Sequence, residues 1–195
     1  ADLASGALIE LDLPEKPGAQ YQLSALASGT GRVALALLRQ WDFGDAGGSG
    51  IMVIGVDRSR RMVGEAERAL SEYDGHVQLL QQDAESLGFG DDLFDCVTSL
   101  EALEFMRNPT QAVREMVRTL KPGGTLLLSN RIGKEARFFP RRLSQRGRLE
   151  RCLAQFGLQE IRTKSWQTHY DLVWARKPLP AKNIAPHGTS SERTR

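Results

Sequence analysis

At 195 residues, with 41% hydrophobic and 26% charged residues, the chain has the size and proportions of one globular α/β domain. A formal charge of +2 is too small to imply nucleic-acid binding by itself. Cys96 and Cys152 lie far apart without CxxC spacing, which excludes a zinc cluster and a disulfide framework, and no run of about 18 apolar residues could cross a membrane.

The chain does not open with a basic stretch followed by an apolar core. No secretory signal is therefore expected, the start reads as short or trimmed, and the default location is the reduced cytoplasm. Pro14 and Pro17-Gly18 predict a turn before the first strand, and Leu8-Ile9-Glu10-Leu11 reads as a short helix or an irregular lid. An apolar run over 22–26 then meets the small-residue turn Ala27-Ser28-Gly29-Thr30-Gly31. Helical spacing of Val33, Leu35, Ala36 and Leu38 follows, to about Arg39. Such a strand, tight turn and helix places a nucleotide-like ligand at a helix N-terminus.

A loop is expected over Asp42–Gly50, which is rich in glycine. The unbroken apolar run Ile51–Val56 predicts a strand buried on both faces, ending at Asp57, and Ser59 can cap a helix reaching about Glu72. A third strand is predicted over His76–Gln81, ending near Asp83, and a fourth over Leu93–Ser99 after a turn at Gly88–Asp92. Cys96, inside that fourth strand, reads as a buried, inert thiol. Pro109 opens a helix with Ala112, Val113, Met116, Val117 and Leu120 on one face; Lys121-Pro122-Gly123-Gly124 stops it as a turn before a fifth strand, Thr125–Ser129. A helix over about Leu149–Phe156, ended by Gly157, and two strands, Leu158–Thr163 and His169–Ala175, complete the pattern.

Strands and helices alternating in this way predict a doubly wound, mostly parallel, seven-stranded Rossmann-like α/β sheet with an antiparallel edge hairpin. Residues 1–177 form the single expected domain, and 178–195, rich in Pro, Ser, Thr and charge, a disordered tail. In such sheets ligands bind at the carboxyl ends of the strands near the switch in strand order. Gly29, Gly31, Asp57, Asp83 and Ser99–Glu101 all fall there.

In this order those positions resemble class I methyltransferases that use S-adenosylmethionine, especially the small ubiquinone- and menaquinone-type group (methyltransferase type 11). The resemblance spans Leu23–Lys177. It rests on Ala25-Leu26-Ala27-Ser28-Gly29-Thr30-Gly31 against the motif Asp-x-(Gly/Ala)-x-Gly-x-Gly and on Gly55-Val56-Asp57-Arg58-Ser59 with Met62 after it. Asp83-Ala84, Phe94-Asp95-Cys96-Val97 and Leu120-Lys121-Pro122-Gly123-Gly124 complete it.

The resemblance implies S-adenosylmethionine as cofactor, with Ala27, Ser28, Gly29, Thr30 and Gly31 forming its loop. Asp57 would accept from the ribose hydroxyls and Asp83 from the adenine amino group, with Ala84 at the ring edge. Arg58 and Met62 would pack on the adenine faces, while Ser99, Leu100 and Glu101 line the methionine side, with Glu101 or Glu104 as a carboxylate near the sulfonium cation. Plainer roles stand beside these: Asp57 as a helix N-terminal acid, Asp83 as a loop carboxylate, Met62 as core, Glu104 as a solvated loop acid.

One position departs from the pattern. The first-motif acid is Ala25, and its loss removes an anchor worth about 1.5–3 kcal/mol. Compensation by Glu10 or Asp12, a weak enzyme, and a non-catalytic binding or regulatory module all remain open readings. A nicotinamide oxidoreductase is disfavoured by Ala34, where Gly-x-Gly-x-x-Gly expects a third glycine, and by the lack of a Tyr-x-x-x-Lys set.

Methyl transfer asks mainly for positioning, and no catalytic base or metal motif stands out. His169 and Tyr170 begin the last strand; His169 either faces a substrate or serves as a structural hydrogen-bonder. The segment 131–151 carries Arg131, Lys134, Arg137, Arg141, Arg142, Arg146, Arg148 and Arg151 around Phe138-Phe139-Pro140. It reads either as a cap that grips an anionic or amphipathic small molecule or touches an anionic membrane surface, or as a solvated basic face. With so few aromatics among the arginines, RNA is the lesser partner.

Overall fold

The computed structural model describes residues 20–39, 50–133, 136, 143 and 145–180. The expectations placed on Leu8–Leu11, on most of the glycine-rich stretch 42–50, on much of the arginine-rich segment and on the tail past 180 lie outside the described residues.

Apolar runs become strands β1 (Gln20–Leu26), β2 (Gly50–Asp57), β3 (Val77–Gln81), β4 (Phe94–Ser99), β5 (Leu120–Arg131), β6 (Gln159–Trp166) and β7 (Tyr170–Arg176). Helical patterns become α1 (Arg32–Arg39), α2 (Arg60–Ala69), α3 (Pro109–Thr119) and α4 (Arg148–Gln155). The sheet order is β3-β2-β1-β4-β5-β7-β6, with β1 to β5 parallel and β7 antiparallel to both β5 and β6. The expected Rossmann-like sheet and its edge hairpin are therefore present. Strand order reverses between β1 and β4, so a crevice opens at their carboxyl ends.

Alternation along β5 divides its leucines between two cores. Leu126 and Leu128 pack with Met116 of α3 and Leu149 and Leu153 of α4, whereas Leu127 joins Leu37 of α1 and Ala66 of α2 on the opposite face. Helix starts are fixed by caps: Ser59 Oγ accepts from Met62 N at 3.4 Å and Asn108 Oδ1 from Gln111 N at 3.1 Å. A Cβ on Gly31, at φ +84°, would sit 2.9 Å from Leu70 Cδ1 and 3.1 Å from Ala66 Cβ. Glycine there lets the start of α1 press against the end of α2.

Two expectations need correction. Lys121–Gly124 is not a turn outside the sheet but a bulge inside β5, set against Asp95 alone between the pairs Phe94–Leu120 and Cys96–Thr125. Lys121 Nζ closes the bulge on Asp95 Oδ2 at 2.8 Å, and the same oxygen accepts Gln22 N at 2.9 Å. The connection from β3 to β4 is a loop, in keeping with the turn expected at Gly88–Asp92. Finally, His169 lies in the turn before β7, exposed, with its carbonyl accepting Ile132 N at 2.7 Å.

Candidate functional site

The carboxyl ends of β1, β2 and β4, with the residues following β3, enclose a cavity of about 480 Å³, within the size range of small-molecule sites. Ala27, Gly29, Asp57, Arg58, Met62, Asp83 and Ala84 line it. Ser28, Thr30 and Gly31 shape the turn behind it instead: Ser28 N donates to Val56 O at 3.1 Å and Gly31 N to Ser28 O at 3.1 Å. Ser99 and Leu100 are buried behind the wall, and the next two residues, Glu101 and Ala102, reach it.

The turn is tight because Ala27 and Gly29 both take positive φ, +51° and +55°. Asp57 holds it from the neighbouring strand. Its Oδ2 accepts Gly29 N at 2.9 Å and its Oδ1 accepts Ser59 N at 2.8 Å, tying the loop to the start of α2. Asp83 Oδ1 accepts Glu85 N at 3.0 Å, and its Oδ2 lies 3.3 Å from Arg107 Nη2. Glu85 Oε1 accepts Arg107 N at 2.7 Å and Asn108 N at 3.0 Å, fixing the chain into α3. Ala25, in the core of β1, brings no carboxylate beneath the turn.

Beyond β4 the chain makes a 3-10 turn, Leu103–Phe105. Phe105, 63% exposed, forms an apolar part of the cavity wall with Met106. Sequence reading missed both, together with Gln82, Glu85 and Ala102; their signal was only position, immediately after a strand that points at the site.

Of the two readings of Glu104, the solvated loop acid does not hold. At 4% exposure it is buried, accepts the Tyr170 hydroxyl hydrogen and stands 3.7 Å from Arg131 Nη1. Burial, followed by this bond to Glu104, drives the Tyr170 phenol well above its ordinary value and keeps it protonated. Burial likewise pushes the Cys96 thiol far up, so it is inert. Among the described residues no His, Cys, Asp and Glu cluster could hold a metal ion, and no helix is long and apolar enough to cross a membrane.

Comparison with known proteins bears on the family and the fold. Residues 25–128, just over half of the chain, match the methyltransferase domain family. The ubiquinone/menaquinone biosynthesis C-methyltransferase UbiE of Geobacter sulfurreducens is 34% identical over 118 residues, covering 60% of this chain and 44% of that protein. UbiE of Pseudomonas putida is 36% identical over 104 residues, 53% of this chain and 39% of that protein. The chain thus matches less than half the length of these relatives. The [4+2]-cyclase SpnF shares the fold at TM-score 0.69 and 22% identity, covering 83% of this chain and 77% of that one. A putative methyltransferase of Bacillus halodurans does so at TM-score 0.66 and 20% identity, covering 86% of this chain and 96% of its own. By its sequence over residues 25–128, the chain belongs to the methyltransferase domain family.

Proposed function

We propose that the chain binds S-adenosylmethionine in the cavity at the β1, β2 and β4 tips and transfers its methyl group to a small-molecule or lipid-like acceptor. The observation that carries this reading is Asp57: an acid at the tip of β2 that already shapes the glycine turn while lining the cavity. Each carboxylate oxygen has one backbone donor and a further lone pair, so the carboxylate can also accept ribose hydroxyls. Asp83 and Ala84 flank the far end, suited to an adenine edge, and Met62 and Arg58 supply faces for a planar ring.

The cofactor supplies an electrophilic methyl group on a sulfonium sulfur, which the acceptor displaces in line. The chain's own part is positioning and exclusion of water. Gly29 offers open space for close approach, and Phe105 and Met106 present an apolar wall. That wall suits an apolar or aromatic acceptor, and a quinone-type ring, as in the names of the UbiE relatives, fits the same description. No side chain here is assigned as a base.

A second reading rests on Ala25: without that carboxylate the chain is a binding module that has lost catalysis. SpnF, a cyclase in name, illustrates that this fold serves other chemistries. Calorimetric titration with S-adenosylmethionine separates the two. Micromolar binding, weakened about 100-fold or more in Asp57→Ala, is the expected outcome; no binding by the wild-type chain at millimolar ligand would sink the enzyme reading.

A further inference from the structure

Four carboxylates line the cavity: Asp57, Asp83, Glu85 and Glu101. The first three are committed to main-chain N–H groups, those of Gly29 and Ser59, of Glu85, and of Arg107 and Asn108. Glu101 differs. Among the described residues its carboxylate meets side chains only, Gln167 Nε2 at 3.4 Å and Arg32 Nη2 at 3.6 Å. Charge-assisted bonds usually close to about 2.7–2.9 Å, so these are loose partners that a ligand can replace.

Glu101 also sits at φ +52°, in the left-handed region that residues with a side chain rarely adopt. Its N–H donates to the buried Ser129 Oγ at 2.6 Å, which fixes that conformation. Backbone held in this way marks positions where geometry matters more than local stability. Arg32, the first residue of α1, stands against it with its side chain 55% exposed. The adjacent strand β1 runs Ser24-Ala25-Leu26 at its tip and brings no acid to this end.

We propose that Glu101 and Arg32 form an exchangeable clamp for the zwitterionic amino-acid end of the cofactor. The ligand ammonium takes Glu101 and the ligand carboxylate takes Arg32, in place of the ion pair the two side chains make with each other. The exchange leaves neither charge uncompensated. It also gives the chain, at Glu101, a carboxylate that β1 lacks. The clamp rests on the S-adenosylmethionine reading of the cavity.

Calorimetry on the full chain tests it with three probes: S-adenosylmethionine, its decarboxylated form, and methylthioadenosine, which has no amino-acid end. Glu101→Gln should weaken the first two by about 10- to 100-fold, the range for a lost charged hydrogen bond, and methylthioadenosine by less than about twofold. Arg32→Gln should weaken S-adenosylmethionine by about 10-fold and spare the decarboxylated form. Unchanged methylthioadenosine binding certifies that each variant is folded. Equal weakening of all three probes, or of none, in Glu101→Gln overturns the clamp. So does an Arg32→Gln effect that ignores the ligand carboxylate. If the wild-type chain binds none of the probes, the cofactor reading itself falls and takes the clamp with it; if it binds them and the variants do not discriminate, only the clamp falls.

Discussion

The two edges of the sheet use the same charged residues in opposite ways. At the amino edge Arg118 and Lys177 are both saturated. Arg118 donates to Glu115, Asp91 and the carbonyls of Leu87 and Phe89, pinning the β3–β4 loop against α3. Lys177 Nζ meets Asp92 and the carbonyls of Val117 and Leu120, all within 2.8 Å. At the carboxyl edge, backbone at positive φ surrounds a cavity, an aromatic ring is exposed, and the Arg32–Glu101 pair is held only at 3.6 Å. Short bonds to carbonyls build rigidity, whereas long bonds between side chains keep groups available. The carbonyl-bound cations and the cavity therefore lie at opposite ends of the strands.

The sharpest way to break this contrast is to strip the amino edge. Arg118→Ala takes the guanidinium from two carbonyls and from the Glu115 carboxylate, which keeps Leu87 N, and should lower the unfolding free energy by about 3 kcal/mol. Affinity for the cofactor should stay within about twofold. Denaturant melts and calorimetry on the same sample check it; a large loss of affinity in a folded variant would show that the edges are coupled.

A smaller effect is expected from Glu115→Gln, about 1–2 kcal/mol at neutral pH. The Arg118 guanidinium, bonded through two nitrogens, holds the Glu115 carboxyl below the ordinary carboxylate range, against an opposing push from burial. A depressed folded value means that this contribution is complete above about pH 4.3, the unfolded value, and drains away as pH falls through the folded one. The gap between wild type and variant should therefore narrow on acidification below that point; a gap constant from pH 7 to pH 3 would contradict the assignment.

The smallest change belongs to the carboxyl edge. Ala27→Gly relieves a side chain at φ +51° and should raise stability by about 0.5–1 kcal/mol, read as a modest rise in melting temperature. A fall in melting temperature would mean that the turn depends on the alanine methyl.

What the sequence made legible was local. An apolar run ending in an acid, a glycine turn before a helical stripe, and a proline at a helix start each carry their signal within a few residues. Asp57, Asp83 and Gly29 were found that way. Glu104 keeps two readings in the sequence because its burial depends on Tyr170, 66 residues away, across the ends of β5 and β7. Ser99 and Leu100 were placed on the cavity wall in place of Ala102 because side-chain phase beyond a strand end depends on backbone dihedrals, here the positive φ of Glu101. The β5 bulge stayed hidden because it follows from Asp95 being shared between Gln22 and Lys121 on its two neighbouring strands.

That bulge has a consequence for how the chain can change length. α3 ends at Thr119 and β5 begins at Leu120, so the join has no loop to spare. A one-residue insertion within Leu126–Leu128 would turn the following side chains to the wrong face and break both cores. Four residues already bow out against one at Lys121–Gly124, so an extra residue there is taken up as a larger bow. The bulge is a length buffer: drift in the helix-to-strand join is absorbed before it reaches the phase of the sheet.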